Sequence, residues 1–186
     1  MMSRTAVEVR DAVPEDAADL VRLWADHVPR SMAPEDDMRL VVKRAAQSGA
    51  DRILVASYDG VFAGALYLQV AARSPLDPEL VLNLLLPEVL ATFRRHGVGH
   101  ALMEAGVAHA EKLGVSQVRS ASDTGDRLAQ RFMARLALSP VATFRAAPTH
   151  VVRAKLAGGS RGRPGARALT AVVAQRRSQR RRPPVE

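Results

Sequence analysis

The stretch RRHGVGHALM, residues 94–103, joins a segment with strand character to one with helical periodicity. A strand that ends in a glycine-containing turn and opens a helix aims several backbone N–H groups at one point, and the positive end of the helix adds to their field. Gly97 and Gly99 have no Cβ to block a close approach, and the arginines and histidines around them carry charge suited to phosphate oxygens. The junction therefore predicts an anion site, and a nucleotide pyrophosphate fits it.

The glycine pattern differs from two familiar phosphate motifs. No Gly-Lys-Ser/Thr follows, as a Walker A loop requires, and two glycines are too few for the dinucleotide fingerprint. A purely structural interpretation stays open beside the functional one. In it, Gly97 ends a turn, Gly99 packs against a sheet and the arginines are solvated.

Outward from the junction, the chain alternates between the two periodicities. Helices are predicted to open at Pro14 and Pro34 and to cover residues 98–113 and 126–136, the last with Leu128, Ala129, Phe132 and Leu136 facing inward. Strands are predicted at residues 7–10, 52–58, 61–71, 80–90, 115–121, 141–144 and 150–156. Asp59-Gly60 between two of them is a strong hairpin signal. Pro87 must lie at a bulge or an unpaired position.

Composition limits the function classes. With 186 residues, 47% hydrophobic and 25% charged, the chain suits one soluble domain with a real core. It has no cysteine, which excludes disulfides, cysteine metal sites and a thiol nucleophile, and its five scattered histidines argue against a zinc site. We find neither the apolar core of a signal peptide nor a run of membrane-spanning length, so a cytoplasmic protein is expected.

The basic charge is concentrated at the C-terminus. Residues 157–186 hold eight arginines and one glutamate, and so contribute +7 of the net charge of +8. Their glycines, prolines and arginines predict disorder, which divides the chain into a domain at 1–156 and a tail at 157–186. The tail sequence Arg161-Gly162-Arg163-Pro164 resembles an AT-hook, but sequence-independent binding to nucleic acid and simple solvation remain alternatives.

The junction resembles the signature of the GNAT superfamily of acetyl-coenzyme A-dependent N-acetyltransferases, Arg/Gln-x-x-Gly-x-Gly/Ala. Val89 stands where that family has a strand-ending valine, and the resemblance covers about residues 6–156. It implies an α/β fold: a twisted mixed sheet flanked by helices and splayed between its fourth and fifth strands, with acetyl-coenzyme A in the split. It also implies direct transfer of acetyl to a primary amine of a small molecule or peptide.

The same resemblance implies the site residues. Backbone at residues 87–89 would pair with the pantetheine arm, N–H groups at residues 95–100 would cradle the pyrophosphate, and the Val89 N–H would hold the oxyanion. Catalysis is thus assigned to Val89 and Glu88, without a metal. Acetyl-coenzyme A binding is assigned to Pro87, Glu88, Val89, Arg94, Arg95, His96, Gly97, Val98, Gly99, His100 and Asp126.

Two positions depart from the family pattern. Asp126 replaces an asparagine, and Met133 replaces the tyrosine that often protonates the departing thiolate. Losing a general acid removes about 10²- to 10⁴-fold of rate. The alternative function is therefore a non-catalytic acetyl-coenzyme A-binding domain whose basic tail binds nucleic acid or a partner.

The general base and the acceptor pocket are not fixed by the pattern. Glu88 is on the right strand, but strand alternation leaves open whether it is the base or a surface or ion-paired residue. Trp24, His27, Met32, Tyr58 and Tyr67 are candidates for lining the pocket, although the spacing of Trp24 favours core packing. The expected partner is an amine acceptor, with nucleic acid possible through the tail rather than the domain, no membrane, and a homodimer possible.

Overall fold

Five strands form one sheet in the order in which they occur along the chain. They are β1 (Val7–Asp11), β2 (Asp51–Tyr58), β3 (Val61–Ser74), β4 (Asp77–Val89) and β5 (Val118–Ser120). Strands β1 to β4 are antiparallel neighbours, whereas β5 runs parallel to β4. The computed structural model describes residues 7–122 and 125–159. The chain divides into one unit of residues 1–139, which contains the sheet, and a second that begins at Pro140.

Helices cover both faces of this sheet in the first unit. The helices are α1 (Ala17–Leu23), α2 (Pro34–Gln47), α3 (Val98–Lys112) and α4 (Arg127–Arg135), with α5 (Thr149–Gly159) in the second unit. On one face, α1 and α2 bury a cluster that includes Leu20, Trp24, Met38, Val42 and Val55. On the other, α3 and α4 bury a cluster that includes Leu66, Leu82, Leu84, Leu102 and Met133. The predicted α/β fold with a mixed sheet is confirmed.

Two turn signals in the sequence have their expected geometry. Asp59 and Gly60 both have positive φ, 49° and 79°, which suits a tight turn between twisted antiparallel strands. Pro87 lies in a bulge of β4, next to Leu86, which has a φ of 50°. A proline has no N–H to give to a strand ladder, so an irregular position is where a sheet tolerates it.

The C-terminal strand predictions are wrong. Residues 150–156 belong to helix α5, and residues 141–144 have no regular structure. Pro148 opens the helix by accepting hydrogen bonds from the N–H groups of Val151 and Val152, at 3.0 and 3.2 Å. A helix satisfies its own backbone groups without a neighbouring strand, and Ala154, Lys155 and Leu156 favour it.

Smaller differences concern the edges of elements. Strand β5 has three residues instead of the predicted seven. In α4, Leu128 is 65% exposed, so its predicted inward position is wrong, whereas Phe132 and Leu136 pack against the core as predicted and Met133 is also buried there. The predicted tail begins at residue 157, and its first three residues belong to α5 instead. From residue 160 the tail, with its predicted disorder and AT-hook-like sequence, lies outside the described residues. Within the described part of the chain, no helix is long and apolar enough to cross a membrane.

Candidate functional site

Strand β4 has an open edge over its last five residues. Strand β5 pairs with it only at Leu82, Asn83 and Leu84, and the Ser120 hydroxyl closes this pairing by donating to the Leu84 carbonyl at 2.8 Å. Among the residues that the structure describes, no strand continues along residues 85–89 on that side. Unpaired N–H and C=O groups at a sheet edge are a template for an added extended segment.

The bulge decides which way Glu88 faces. Leu85 is paired with Tyr67 and Glu88 with Ala65, so two residues of β4, Leu86 and Pro87, oppose one residue of β3. Ala65 belongs to the cluster under α1 and α2, and residues paired across antiparallel strands share a face. Regular alternation from Leu84, which faces α3, would have turned Glu88 to the α3 side. The extra residue turns it to the α1 side instead.

Glu88 meets a histidine there. The His27 Nε2 lies 3.0 Å from the Glu88 Oε1, and both side chains are partly exposed. Burial raises the pKa of Glu88, and the attraction and hydrogen bond of His27 oppose that rise. A carboxylate with a raised pKa and one bonded oxygen is suited to accept a proton on its other oxygen.

Trp24 fixes the bulge from the same side. Its indole Nε1 donates to the Leu86 carbonyl at 3.1 Å, and the residue is only 3% exposed. Its predicted core packing is confirmed. The Trp24 carbonyl accepts from the N–H groups of His27 and Val28, at 2.8 and 2.9 Å, so the turn that carries His27 is tied to the residue that contacts the bulge.

The Val89 peptide N–H points to the open edge. Leu90 donates its N–H to the Ala63 carbonyl on β3 at 2.9 Å. Successive N–H groups of a strand point to opposite sides, so the Val89 N–H faces away from β3. The Val89 carbonyl is also on the open side, where the Arg94 Nε approaches it at 3.4 Å.

Gly64 allows β3 and β4 to approach closely at this point, and sequence reasoning missed it. A Cβ on Gly64 would lie 2.5 Å from the Glu88 carbonyl oxygen and 3.2 Å from the Val89 Cα. No side chain fits such a space. The available signal was a glycine inside a strand pattern, which indicates a bulge or a close backbone approach.

The N-terminus of α3 has free backbone donors. Gly97 caps the helix with a φ of 85°, and no side chain caps it. The first helical hydrogen bond runs from the Ala101 N–H to the Gly97 carbonyl at 3.0 Å, so the N–H groups of Val98, Gly99 and His100 precede the helical ladder. A Cβ on Gly97 would meet nothing within 4 Å. Free donors and open space at the positive end of a helix suit an anion.

Other predicted binding residues have structural contacts of their own. The Val98 side chain is buried in the core, which leaves only its backbone for a ligand. The His96 ring packs edge-on against Tyr58 at 4.9 Å, and its Nδ1 donates to the Arg94 carbonyl at 2.9 Å. Arg95 has a φ of 67°, so it turns the chain just before the helix. His100 lies 3.8 Å from Glu104 one turn along α3.

Helix α4 packs beside the glycine motif at the start of α3. A Cβ on Gly99 would lie 3.6 Å from the Phe132 ring and 3.7 Å from a Val89 methyl, which are ordinary contact distances. Asp126 caps α4 by accepting from the N–H groups of Leu128 and Ala129, at 2.9 and 3.0 Å. Its carboxylate therefore has a structural role, and contact with a cofactor stays a prediction.

A cavity of about 460 Å³ opens beside α3. It extends from His100, at the start of the helix, to Leu84 and Val118, where β5 leaves β4. The rest of its lining is Met103, Glu104, Val107, Ala108, Glu111, Leu136 and Leu138. The cavity thus lies along α3 from His100 to Glu111 and meets β4 at Leu84, the last residue that β5 pairs with.

A smaller cavity of about 240 Å³ lies beyond the end of α2. Among the residues that line it, Arg52 contacts the Asp11 carboxylate at 3.0 Å and the His109 Nδ1 at 3.1 Å. Burial, followed by the charge of Arg52, lowers the pKa of His109. Across the described residues, no group of three or more His, Asp or Glu side chains could hold a metal ion.

Comparison with known proteins identifies the family. The model of the acetyltransferase (GNAT) family matches residues 18–137. No match to a curated protein was found. The solved structures that share the fold include the following three. A transcriptional regulator from Bacillus halodurans is 17% identical, with a TM-score of 0.67 over 77% of this chain and 99% of that one. An aminoglycoside N-acetyltransferase in complex with CoA is 16% identical, with a TM-score of 0.66 over 80% and 98%.

The third solved structure is a glucosamine-6-phosphate N-acetyltransferase from Arabidopsis thaliana. It is 12% identical, with a TM-score of 0.64 over 77% of this chain and 99% of that one. Identities this low carry the fold alone, whereas the family model covers well over half of the chain. The chain therefore belongs to the GNAT acetyltransferase family.

Proposed function

We propose that this protein is an N-acetyltransferase that moves an acetyl group from acetyl-coenzyme A to a primary amine of a small molecule or peptide. One observation carries the proposal: the open edge of β4 leads directly into the uncapped N-terminus of α3, and Glu88 at that edge faces the α1 side of the sheet. The donor and the amine then approach the end of β4 from different directions.

The residues at the junction fit acetyl-coenzyme A. The N–H groups of residues 98–100 and the positive end of α3 suit a pyrophosphate, with the Arg94 and Arg95 side chains exposed beside it. The edge at residues 87–89 suits the amide-bearing pantetheine arm, which can add to a sheet edge as an extended segment does. Acetyl-coenzyme A supplies an activated thioester when it is bound.

The chain supplies two groups for the transfer. Glu88 accepts the proton that the amine loses as its nitrogen bonds to the acetyl carbon. The Val89 N–H, directed at the open edge, stabilises the negative charge that develops on the acetyl oxygen. The carbon–sulfur bond then breaks and the thiolate takes a proton from water.

Water is the proton source because Met133 cannot be one. Met133 is 8% exposed and packs in the cluster under α3. A thiol with an ordinary pKa of about 8.5 is a tolerable leaving group, so we expect transfer at a reduced rate rather than none.

The second candidate is a non-catalytic acetyl-coenzyme A-binding domain that uses its tail as an interaction arm. The position of Met133 favours it, since no acid replaces the usual tyrosine there. Both candidates bind the same ligand at the same junction. Only turnover separates them.

Thiol release from acetyl-coenzyme A, measured with a panel of amines, tests the proposal. The panel contains an aminoglycoside, an amino-sugar phosphate and a peptide with a free N-terminus, because structures similar to this chain include an aminoglycoside, a glucosamine-6-phosphate and a ribosomal-protein-alanine N-acetyltransferase. We expect thiol release with at least one amine. If none of the amines gives release, the non-catalytic candidate is favoured.

Glu88→Gln tests the base. We expect kcat to fall about 10²- to 10⁴-fold while the affinity for acetyl-coenzyme A, measured by calorimetry, stays unchanged. Glu8→Gln, at an exposed position of β1, is the matched control and should behave as the parent protein. Full activity of Glu88→Gln would remove Glu88 from the mechanism.

A further inference from the structure

The contact between His27 and Glu88 joins two distant parts of the chain. His27 follows α1, whereas Glu88 lies near the end of β4, and 3.0 Å separates the His27 Nε2 from the Glu88 Oε1. The two side chains remain 49% and 34% exposed, so the pair is open to solvent and to a substrate. Because Nε2 donates to Oε1, the second carboxylate oxygen is left to accept a proton.

Backbone contacts hold His27 in place. Its own N–H donates to the Trp24 carbonyl at 2.8 Å, and the buried Trp24 indole donates to the Leu86 carbonyl at 3.1 Å. Leu86 is one of the two bulge residues and lies two positions before Glu88. The histidine and its carboxylate are therefore linked twice, once through their side chains and once through Trp24. An isolated surface ion pair has no such second link.

Few other charges act on Glu88. Asp26, in the same turn as His27, raises its pKa, and Arg94, beyond the end of β4, lowers it. On β3, its pairing partner is the uncharged Ala65. The principal opposition to the effect of burial therefore comes from His27.

We propose that His27 is a positioning residue for acetyl transfer, which holds the Glu88 carboxylate ionised and turned so that its free oxygen takes the proton of the amine. This inference rests on the proposed function. In the step, the amine nitrogen bonds to the acetyl carbon, its proton passes to the Glu88 Oε2, the carbon–sulfur bond breaks, and the thiolate is protonated by water. His27 gains and loses no proton.

The first test compares two replacements of His27. His27→Ala should lower kcat about tenfold, as the loss of one charge-assisted hydrogen bond predicts, and leave the KM for acetyl-coenzyme A unchanged. It should also move the acidic limb of the kcat/KM profile to higher pH, because the pKa of Glu88 rises further without its partner. His27→Gln keeps an N–H donor near the place of Nε2 and should restore most of the rate.

Two outcomes would overturn the inference. An unchanged pH profile in His27→Ala would reduce the contact to packing. A glutamine variant as slow as the alanine variant would mean that the imidazole itself takes the proton.

The second test needs no turnover. The titration of Glu88 is followed by NMR in protein with carboxyl-labelled glutamate, and Glu88→Gln identifies its signal. We expect His27→Ala to move this titration to higher pH. If no thiol is released but the Glu88 titration still shifts in His27→Ala, the proposed function is wrong and the contact between His27 and Glu88 stands. If thiol is released but the Glu88 titration is the same in His27→Ala as in the parent protein, the positioning role of His27 is wrong and the proposed function stands.

Discussion

The two halves of β4 differ in almost every respect, although they belong to one strand. Residues 77–84 end in a segment with strands on both sides, and Val81, Leu82 and Leu84 there are fully buried. Residues 85–89 have a strand on one side only, contain the bulge, and include the partly exposed Glu88. The first half contributes residues 81–84 to the core, and the second half leaves backbone groups unpaired along one side.

What distinguishes the halves is the length of β5 rather than the polarity of β4. Three residues of β5 satisfy the edge of β4 as far as Leu84 and no further. Beyond them, the Val89 N–H faces the open edge and needs a partner. The bulge adds the second condition, because it turns Glu88 away from α3. A short neighbouring strand and one extra residue thus give the end of β4 an unpaired edge and a carboxylate on the α1 side.

The largest effect should come from placing a negative charge where the second half of β4 meets α3. A glutamate at position 99 begins between Phe132 and Val89 and competes with an anion for the N-terminus of α3. We expect Gly99→Glu to weaken acetyl-coenzyme A binding in calorimetry by roughly 100-fold or more, as for two lost charge-assisted hydrogen bonds.

Gly99→Ala is the control for this substitution. Its Cβ would lie at ordinary contact distances of 3.6 and 3.7 Å, so affinity should remain within about twofold. Unchanged affinity in folded Gly99→Glu would show that the ligand does not use this end of α3.

The contrast between the halves was only partly predictable from the sequence. The continuous apolar run at residues 80–90 predicts one buried strand, and Pro87 marks an irregularity within it. The glycine motif locates the start of α3. The direction of Glu88 depends on whether the bulge adds one residue or none, and the contact with His27 depends on how α1 packs. Neither is a property of local sequence.

The errors have the same origin. Residues 150–156 contain two adjacent valines and were expected to extend the sheet, but a strand requires a partner that local pattern cannot supply. Leu128 fits the inward face of α4 by its spacing, but the packing of that helix leaves it 65% exposed. Local pattern identified the elements that carry the site, whereas pairing and packing decided their roles.

A loss of stability of intermediate size should distinguish substitutions at two glycines, one packed against each half of β4. A Cβ on Gly64 would lie 2.5 Å from the Glu88 carbonyl, which is backbone in the second half. A Cβ on Gly106 would lie 2.8 Å from a Leu84 methyl, at the end of a side chain in the first half. Backbone of a paired strand yields less than a leucine methyl. We expect Gly64→Ala to cost about 1–3 kcal/mol of unfolding free energy and to reduce acetyl transfer.

Gly106→Ala is the matched variant for the first half. The helix preference of alanine offsets part of the crowding, so denaturant unfolding should show a smaller loss. Acetyl-coenzyme A affinity should be retained. If Gly106→Ala lost affinity for acetyl-coenzyme A and Gly64→Ala did not, the first half of β4 rather than the second would be the part that supports ligand binding.

The smallest effect concerns the two carboxylates near opposite ends of β4. The Glu79 N–H and the Arg73 guanidinium lower the pKa of Asp77, which accepts from them at 3.1 and 2.9 Å. Burial raises the pKa of Glu88. Ionised Asp77 therefore stabilises the fold above its unfolded-state pKa, and that contribution is lost as pH falls through its lowered folded-state pKa. Protonated Glu88 stabilises the fold below its unfolded-state pKa, and that contribution is lost as pH rises through its raised folded-state pKa.

Thermal unfolding of Asp77→Asn and Glu88→Gln across pH should therefore give opposite signs. At neutral pH the asparagine variant should be slightly less stable than the parent protein and the glutamine variant slightly more stable. Both differences should shrink toward acid pH, where the parent carboxylates are protonated in the folded and unfolded states alike. Because both groups are partly solvated, the differences in melting temperature will be small, and the test is whether their signs are opposite. A glutamine variant less stable than the parent at neutral pH would mean that ionised Glu88 is a structural ion pair with His27, and the second half of β4 would then resemble the first.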